Sequence, residues 1–246
     1  MGHPHLRRAP IVEALVDLKV SPPAGGLDAI EPFAALISLD FPNRQRLAHL
    51  SANLRISETD AAPEFAPGTS QVLGSIFTAS DSSKAVQSRI DGFSFSQLGK
   101  YDDWATLRRN ARGYWDQYVS TVHPMNVSRW ALRFINRIEL PLPMRDFGDY
   151  LRTMPVISPD LPQGLSEFFL RLVVPFPSAT VVVSQTIDAA GVTPESIPII
   201  LDIDVFESGE LPASGEEIWE RLDRLREIKN DVFFKSITET TWRMYE

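Results

Sequence analysis

Two segments of the chain alternate apolar and polar positions, and this alternation predicts two β-strands. In residues 10–20 the apolar side chains fall at even positions such as Val16 and Leu18, and residues 130–140 repeat the pattern, as at Leu132. A period of two places neighbouring side chains on opposite faces of a sheet. Similar runs predict further strands over residues 49–57, 72–79, 84–98, 168–176, 180–188 and 197–207.

Apolar positions spaced by three and four residues predict the helices. The predicted helices cover residues 28–39, 102–122 and 214–236, with a shorter one at 146–152. Asp102 is the expected N-cap of the second helix, and Ser214 with Glu217 forms the expected capping box of the last. Residues 58–70 are polar and contain proline and glycine, so they predict an exposed loop.

The two halves of the chain have a similar predicted order of elements. Residues 1–128 and residues 129–246 each give strand, helix, three strands and long helix, and Phe93 and Phe206 occupy similar places before the long helices. The predicted fold class is α+β, with two similar β-α-β-β-β-α halves whose antiparallel sheets are each packed by a long helix. Such a duplicated unit is topologically like a TATA-binding-protein or helix-grip repeat, and we expect the halves to form one compact unit.

Composition and charge exclude several classes of protein. A hydrophobic fraction of 43% predicts a globular chain, and the absence of cysteine excludes disulfides and cysteine-ligated metal centres. No apolar run is long enough for a membrane span and no secretory signal is evident, so we expect a cytoplasmic protein without membrane contact. The net charge of −8, which arises mostly in residues 129–246, makes nucleic acid an unfavourable partner.

The strand over residues 130–140 carries the best candidates for ligand binding. Arg133 and Arg137 share one face and could hold a carboxylate or phosphate, while Asn136 interrupts the apolar face. Arg89 and Asp91 are added as candidates from the first half. The same residues could instead form a structural network of ion pairs, which is the commoner role of such residues.

Two further groups are candidates for a partner-binding surface. Arg108, Arg109 and Arg112 lie away from most of the apolar stripe of the helix over 102–122, where they could meet an acidic partner or pair with nearby carboxylates. Trp242 and Tyr245 belong to an aromatic C-terminal tail, which we expect to dock on its own fold or, as a second choice, in a homodimer contact.

The sequence offers no constellation that predicts catalysis, a metal or a cofactor. Asp202 and Asp204 share a strand face, but a third carboxylate and a glycine-rich phosphate loop are not evident nearby. With so few histidines a three-histidine zinc site is not expected. We therefore assign no catalytic residues, no metal ligands and no cofactor.

Three segments together resemble a known group of sequences. These are Ala9–Ala14, Arg89–Ser96 and Leu132–Ile138, the last of which contains Asn136, Arg137 and Ile138. In this order they resemble a sporadically distributed family of uncharacterised bacterial proteins of similar length, whose signature is a strand ending in Asn-Arg-Ile. The resemblance implies one shared architecture and an accessory-gene role, and it supplies no catalytic residues.

The sequence thus leaves two functional hypotheses. The first is a non-catalytic cytoplasmic protein-binding or regulatory protein, such as an antitoxin-like or phage-defence component, with an unidentified protein partner or a homodimer. The alternative is a binder of small anionic ligands, or an enzyme, with a cavity between the sheet and a long helix.

Overall fold

The computed structural model describes residues 6–55 and 64–246, and these form nine β-strands and four α-helices. The strands are β1 (Ile11–Val20), β2 (Asn43–Arg55), β3 (Glu64–Thr78), β4 (Lys84–Arg89), β5 (Gly92–Leu98), β6 (Asn126–Pro141), β7 (Phe169–Pro175), β8 (Thr180–Ile187) and β9 (Ser196–Pro212). The helices are α1 (Glu31–Leu36), α2 (Trp104–Val122), α3 (Glu217–Ser236) and α4 (Glu239–Arg243).

All nine strands form a single antiparallel sheet in the order β2-β3-β4-β5-β1-β6-β9-β8-β7. The two strands with the clearest alternation in the sequence, β1 and β6, pair directly, with Val16 opposite Leu132. Their apolar side chains face the same side, since opposite residues of an antiparallel pair share a face. The predicted α+β class with antiparallel strands is confirmed.

The long helices pack on one face of the sheet and bury its apolar side. Helix α2 lies against β5 and β1, and α3 lies against β9 and β6. The core beneath α2 is aromatic: Trp115 and Tyr118 both pack against Phe93. At the start of α2, the side chain of Asp103 accepts the N–H of Thr106 at 2.7 Å, so Asp103 and not Asp102 is the N-cap.

One predicted strand and one predicted loop of the first half differ from those observed. Residues 84–98 are not one strand, because a two-residue turn separates β4 from β5 and pairs Arg89 with Gly92. A Cβ on Gly92 would lie 2.4 Å from a carbonyl oxygen of β1, which explains why glycine ends this turn. The predicted loop is partly wrong, since its residues 64–70 belong to β3 and its residues 58–63 lie outside the described ranges.

Strand and helix limits also differ elsewhere. Strand β2 begins at Asn43, before the predicted start, and residues 56–57 of that prediction lie outside the described part. Helix α3 begins at Glu217 rather than Ser214 and has no side-chain cap. The predicted helix at 146–152 is a single 3₁₀ turn, Phe147–Asp149. The boundary between the predicted halves falls inside β6, in the middle of the continuous sheet.

Among the helices in the described ranges, none combines the length and apolar character needed to cross a bilayer.

The C-terminal tail packs on the chain's own core, in agreement with the preferred expectation. Trp242 and Tyr245 are half-buried against it, and the hydroxyl of Tyr245 accepts the backbone N–H of Glu139 at 3.1 Å. The backbone of Tyr245 also accepts the N–H of Arg8, which joins the two ends of the described chain.

Candidate functional site

A cleft of about 450 Å³ opens between the sheet and α3, where the N-terminal segment and the start of α2 close its sides. We call it the Lys229 cleft. One face of α3 contributes residues at helical spacing, including Arg226, Lys229 and Phe233. Residues 6–11 and the start of α2 supply the opposite walls, and Asn136 of β6 is part of the sheet's contribution.

Lys229 is the unusual residue of this cleft. It is only 8% exposed, and among the described residues its ammonium has no hydrogen bond or ion pair. Its Nζ lies 4.0 Å from the centre of the Phe134 ring, whose face attracts a cation. Burial, assisted by the nearby charge of Arg226 and opposed by Glu227, lowers the pKa of Lys229 to about 7.

Two other polar side chains accompany Lys229. The ring of Tyr101 meets Phe134 edge-to-face at 5.5 Å, and within the described ranges no group hydrogen-bonds to the Tyr101 hydroxyl. Burial raises the pKa of Tyr101, so its hydroxyl stays protonated. Asn136 is buried, and its Nδ2 donates to the carbonyl oxygens of Leu201 (3.0 Å) and Phe134 (3.3 Å). The Lys229 ammonium and the Tyr101 hydroxyl are therefore donors that have no acceptor among the described residues.

The structure does not bring the five predicted ligand-binding residues together. Asn136 lies on the helix-covered face, whereas Arg133 and Arg137 lie on the opposite, open face of the sheet. Arg133 forms a bidentate ion pair with Asp202, with Nε at 2.9 Å and Nη2 at 2.6 Å from the carboxylate, and this pairing raises the pKa of Arg133. Arg137 pairs with Asp188 at 3.0 Å and also with Glu139.

Arg89 and Asp91 belong to the same open face and are also occupied. Arg89 donates to Asp17 at 2.7 Å and to Asp91 at 3.3 Å. Asp17 in turn accepts from Arg129, which reaches Asp204 at 3.0 Å. These contacts make a chain of alternating charges across four strands, and they favour the structural interpretation of the arginines over the ligand-binding one.

Asp202 and Asp204, the two carboxylates that share a strand face, are part of this network. Each carboxylate meets an arginine, and burial raises the pKa of Asp204 although Arg129 and Arg133 favour its charged form. In the part of the chain that the structure describes, no cluster of three metal-ligating side chains occurs.

Two of the three arginines on α2 tie this helix to α3. Arg108 and Arg112 both contact the carboxylate of Glu216 at 2.5 Å, and both lie over the ring of Trp219. Arg109 is exposed and reaches only the hydroxyl of Thr106 on its own helix, at 3.3 Å. Of these three arginines, Arg109 alone has no ion pair with another residue in the described part of the chain.

Sequence reasoning missed Lys229 and Tyr101, although one signal was present. Leu222, Leu225 and Phe233 follow the apolar stripe of α3, and Lys229 interrupts that stripe one turn from its end. A lysine at an apolar position indicates either a snorkelling side chain or a buried amine. Only the packing of α3 onto β6 decides between the two, and it buries the amine.

Comparison of the chain with protein-family models and with curated proteins found no match. What the cleft binds must therefore be inferred from its own side chains.

Proposed function

We propose that this protein binds a small anionic molecule, a carboxylate or phosphate, in the Lys229 cleft. The observation that carries the proposal is the buried ammonium of Lys229, which has no carboxylate partner among the described residues. Burying an unpaired charge is costly, and a bound anion would supply the missing partner. The proposal is the same in kind as the alternative drawn from the sequence, an anionic ligand between the sheet and a long helix. It differs in the residues that hold the ligand.

The size and lining of the cleft support a small ligand. Its volume of about 450 Å³ lies within the usual range of small-molecule sites. Trp104, Phe233 and Phe234 offer apolar surface for the body of a ligand. Arg226 lines the cleft beside Lys229 and adds a second positive charge. Asp102, Asp103 and Glu227 also line the cleft, and their carboxylates would repel a highly charged anion. An anion with a short apolar portion therefore fits this lining better.

The test is a thermal-shift screen of small carboxylates and phosphate esters, followed by calorimetry. A ligand at 100 times its dissociation constant stabilises a protein by about 2.7 kcal/mol, which for a chain of this size raises Tm by roughly 5–10 °C. We expect Lys229→Met to abolish this shift and Lys235→Met, a change at a largely exposed lysine on the same helix, to keep it. Equal shifts in wild type and Lys229→Met would overturn the proposal.

A second candidate function is protein binding at strand β7, and it continues the first sequence-based hypothesis. This edge strand exposes apolar side chains, with Phe169 71% and Val173 54% exposed. The other edge strand, β2, instead presents exposed Arg44 and Arg46, which protect an edge against pairing. We propose that an extended segment of a different protein adds to β7, because a second copy of this chain would bring its own charge of −8.

A matched pair of variants tests this candidate. Val173→Lys places a charge on the edge, and Val156→Lys makes the same change at a fully exposed position of the 151–167 connection. A partner captured by wild type and by Val156→Lys, but lost by Val173→Lys, supports binding at β7. Equal capture by all three proteins, or a concentration-dependent dimer that Val173→Lys disrupts, contradicts it.

We also infer that the two halves arose by duplication. Moving outward from the central β1–β6 pair, the first half runs β5, β4, β3 and the second runs β9, β8, β7. Each long helix follows the strand next to the central pair, and these regularities support the inference. Superposing four strands and the long helix of each half tests it, since a failure of the helices to coincide argues against duplication. The accessory-gene role and the cytoplasmic location remain predictions.

A further inference from the structure

The amine of Lys229 has the two features that make a lysine reactive toward carbonyl compounds. It is desolvated, and it lies one helical turn from a second cation, Arg226. Burial and Arg226 bring the pKa of Lys229 to about 7, so about half of the amine is neutral at neutral pH. The other charged group that affects it, Glu227, acts in the opposite direction and is paired with Arg226 at 2.7 Å.

We propose that Lys229 forms an imine with the aldehyde or ketone group of an acidic ligand such as a small oxo acid. This rests on the proposed function, because the acidic group of the same ligand is held in the Lys229 cleft. Arg226 and Arg7 line the cleft and supply positive charge for the acidic group, while the amine over Phe134 meets the carbonyl carbon.

The reaction balances without any oxidant or further reactant. The lone pair of Nζ attacks the carbonyl carbon, a C–N bond forms, and the electron pair of the C=O bond moves to oxygen. A proton passes from nitrogen to this oxygen, which gives a carbinolamine. The hydroxyl then takes a second proton and leaves as water, and the remaining nitrogen proton is released to balance it as the C=N bond forms.

Tyr101 is the group best placed to assist these proton transfers. Its ring packs on the same Phe134 ring that lies beneath Lys229, and its hydroxyl has no partner in the described part of the chain. Burial keeps the hydroxyl protonated, so it can donate a hydrogen bond to the carbonyl or carbinolamine oxygen. We assign it this orienting role.

Reductive trapping tests the imine. The full-length protein is incubated with pyruvate and sodium cyanoborohydride at pH 7, and the modified lysine is located by peptide mass mapping. The chain has four other lysines, Lys19, Lys84, Lys100 and Lys235. Because an ordinary lysine is almost wholly protonated at this pH, we expect Lys229 to be labelled at least about tenfold more than any of them.

Three variants define the outcome. Lys229→Met should lose the selective label, Lys235→Met should keep it, and Tyr101→Phe should slow labelling without changing its site. Even labelling of all lysines, or none at Lys229, would refute imine formation.

Propionate, which has the carboxylate of pyruvate without the ketone, separates the two proposals. If propionate binds in a Lys229-dependent way but pyruvate gives no trapped product, anion binding stands and the imine is wrong. If neither compound binds and no product is trapped, both proposals are wrong.

Discussion

Replacing Lys229 by methionine should stabilise the protein, and the gain should depend on pH. The pKa of Lys229 falls from 10.5 to about 7 on folding, so at pH 6 the buried ammonium costs up to about 5 kcal/mol. The face of Phe134 offsets about 0.5–2 kcal/mol of this cost. Methionine has similar length and no charge, and we expect Lys229→Met to raise the free energy of unfolding by roughly 2–4 kcal/mol at pH 6.

The sign of the pH dependence follows from proton binding. Between pH 7 and 10.5 the unfolded chain keeps the proton on Lys229 while the folded chain releases it, so wild-type stability rises with pH in that window. The advantage of Lys229→Met should therefore shrink by about 2–3 kcal/mol between pH 6 and pH 9.

Urea unfolding of wild type, Lys229→Met and Lys235→Met at pH 6, 7.5 and 9 measures this difference directly. The other titrating groups are common to wild type and Lys229→Met and cancel in that comparison, while Lys235→Met shows the effect of losing an exposed lysine. A gap between wild type and Lys229→Met that stays constant from pH 6 to pH 9 would show that the amine is charged and solvated in the folded state. That result would remove the physical basis of both proposals for the cleft.

Four further changes test the structure by urea unfolding. Gly74→Ala should destabilise the fold by more than about 2 kcal/mol, because its Cβ would lie 2.0 Å from a backbone oxygen of β4. Gly113→Ala should instead stabilise the fold by about 0.5–1 kcal/mol, because a Cβ at this position of α2 would meet no other atom within 4 Å. Glu207→Ala should cost about 1–3 kcal/mol, since it leaves the buried indole N–H of Trp130 without its acceptor. Arg133→Ala should cost less than about 1 kcal/mol, because the Arg133 side chain is half-exposed, and a loss of ligand binding in this variant would contradict its structural role.

Much of the secondary structure follows from local patterns. The alternation in residues 10–20 and 130–140 correctly gives β1 and β6, and the stripe that includes Trp115 correctly gives α2. Errors occur where a turn or bulge interrupts a run. The Asp91-Gly92 pair marks the turn between β4 and β5, but strand-like residues on both sides, such as Val86 and Phe93, conceal it. Strand β3 passes through Pro67 because a register shift against β2 leaves that residue unpaired.

The candidate site was less predictable than the strands. Alternation placed Asn136 on the opposite face from Arg133 and Arg137, which is what the structure shows. It did not reveal which face the helices cover, nor that each arginine meets a carboxylate outside β6. Such pairs depend on the order of strands in the sheet, and that order brings together residues about 50 to 110 positions apart.

The sequence by itself determined the class of fold, the period of the main strands and helices, and the absence of cysteine chemistry. These are local or compositional properties, and each is set by a few neighbouring residues. Tertiary structure alone decided that Lys229 is buried with no carboxylate partner among the described residues, and that Lys229 and Tyr101 both contact the ring of Phe134. It also decided that the open-face arginines pair with carboxylates. Burial and charge pairing depend on contacts between distant segments, so the chemistry of the cleft exists only once α3 packs onto the sheet.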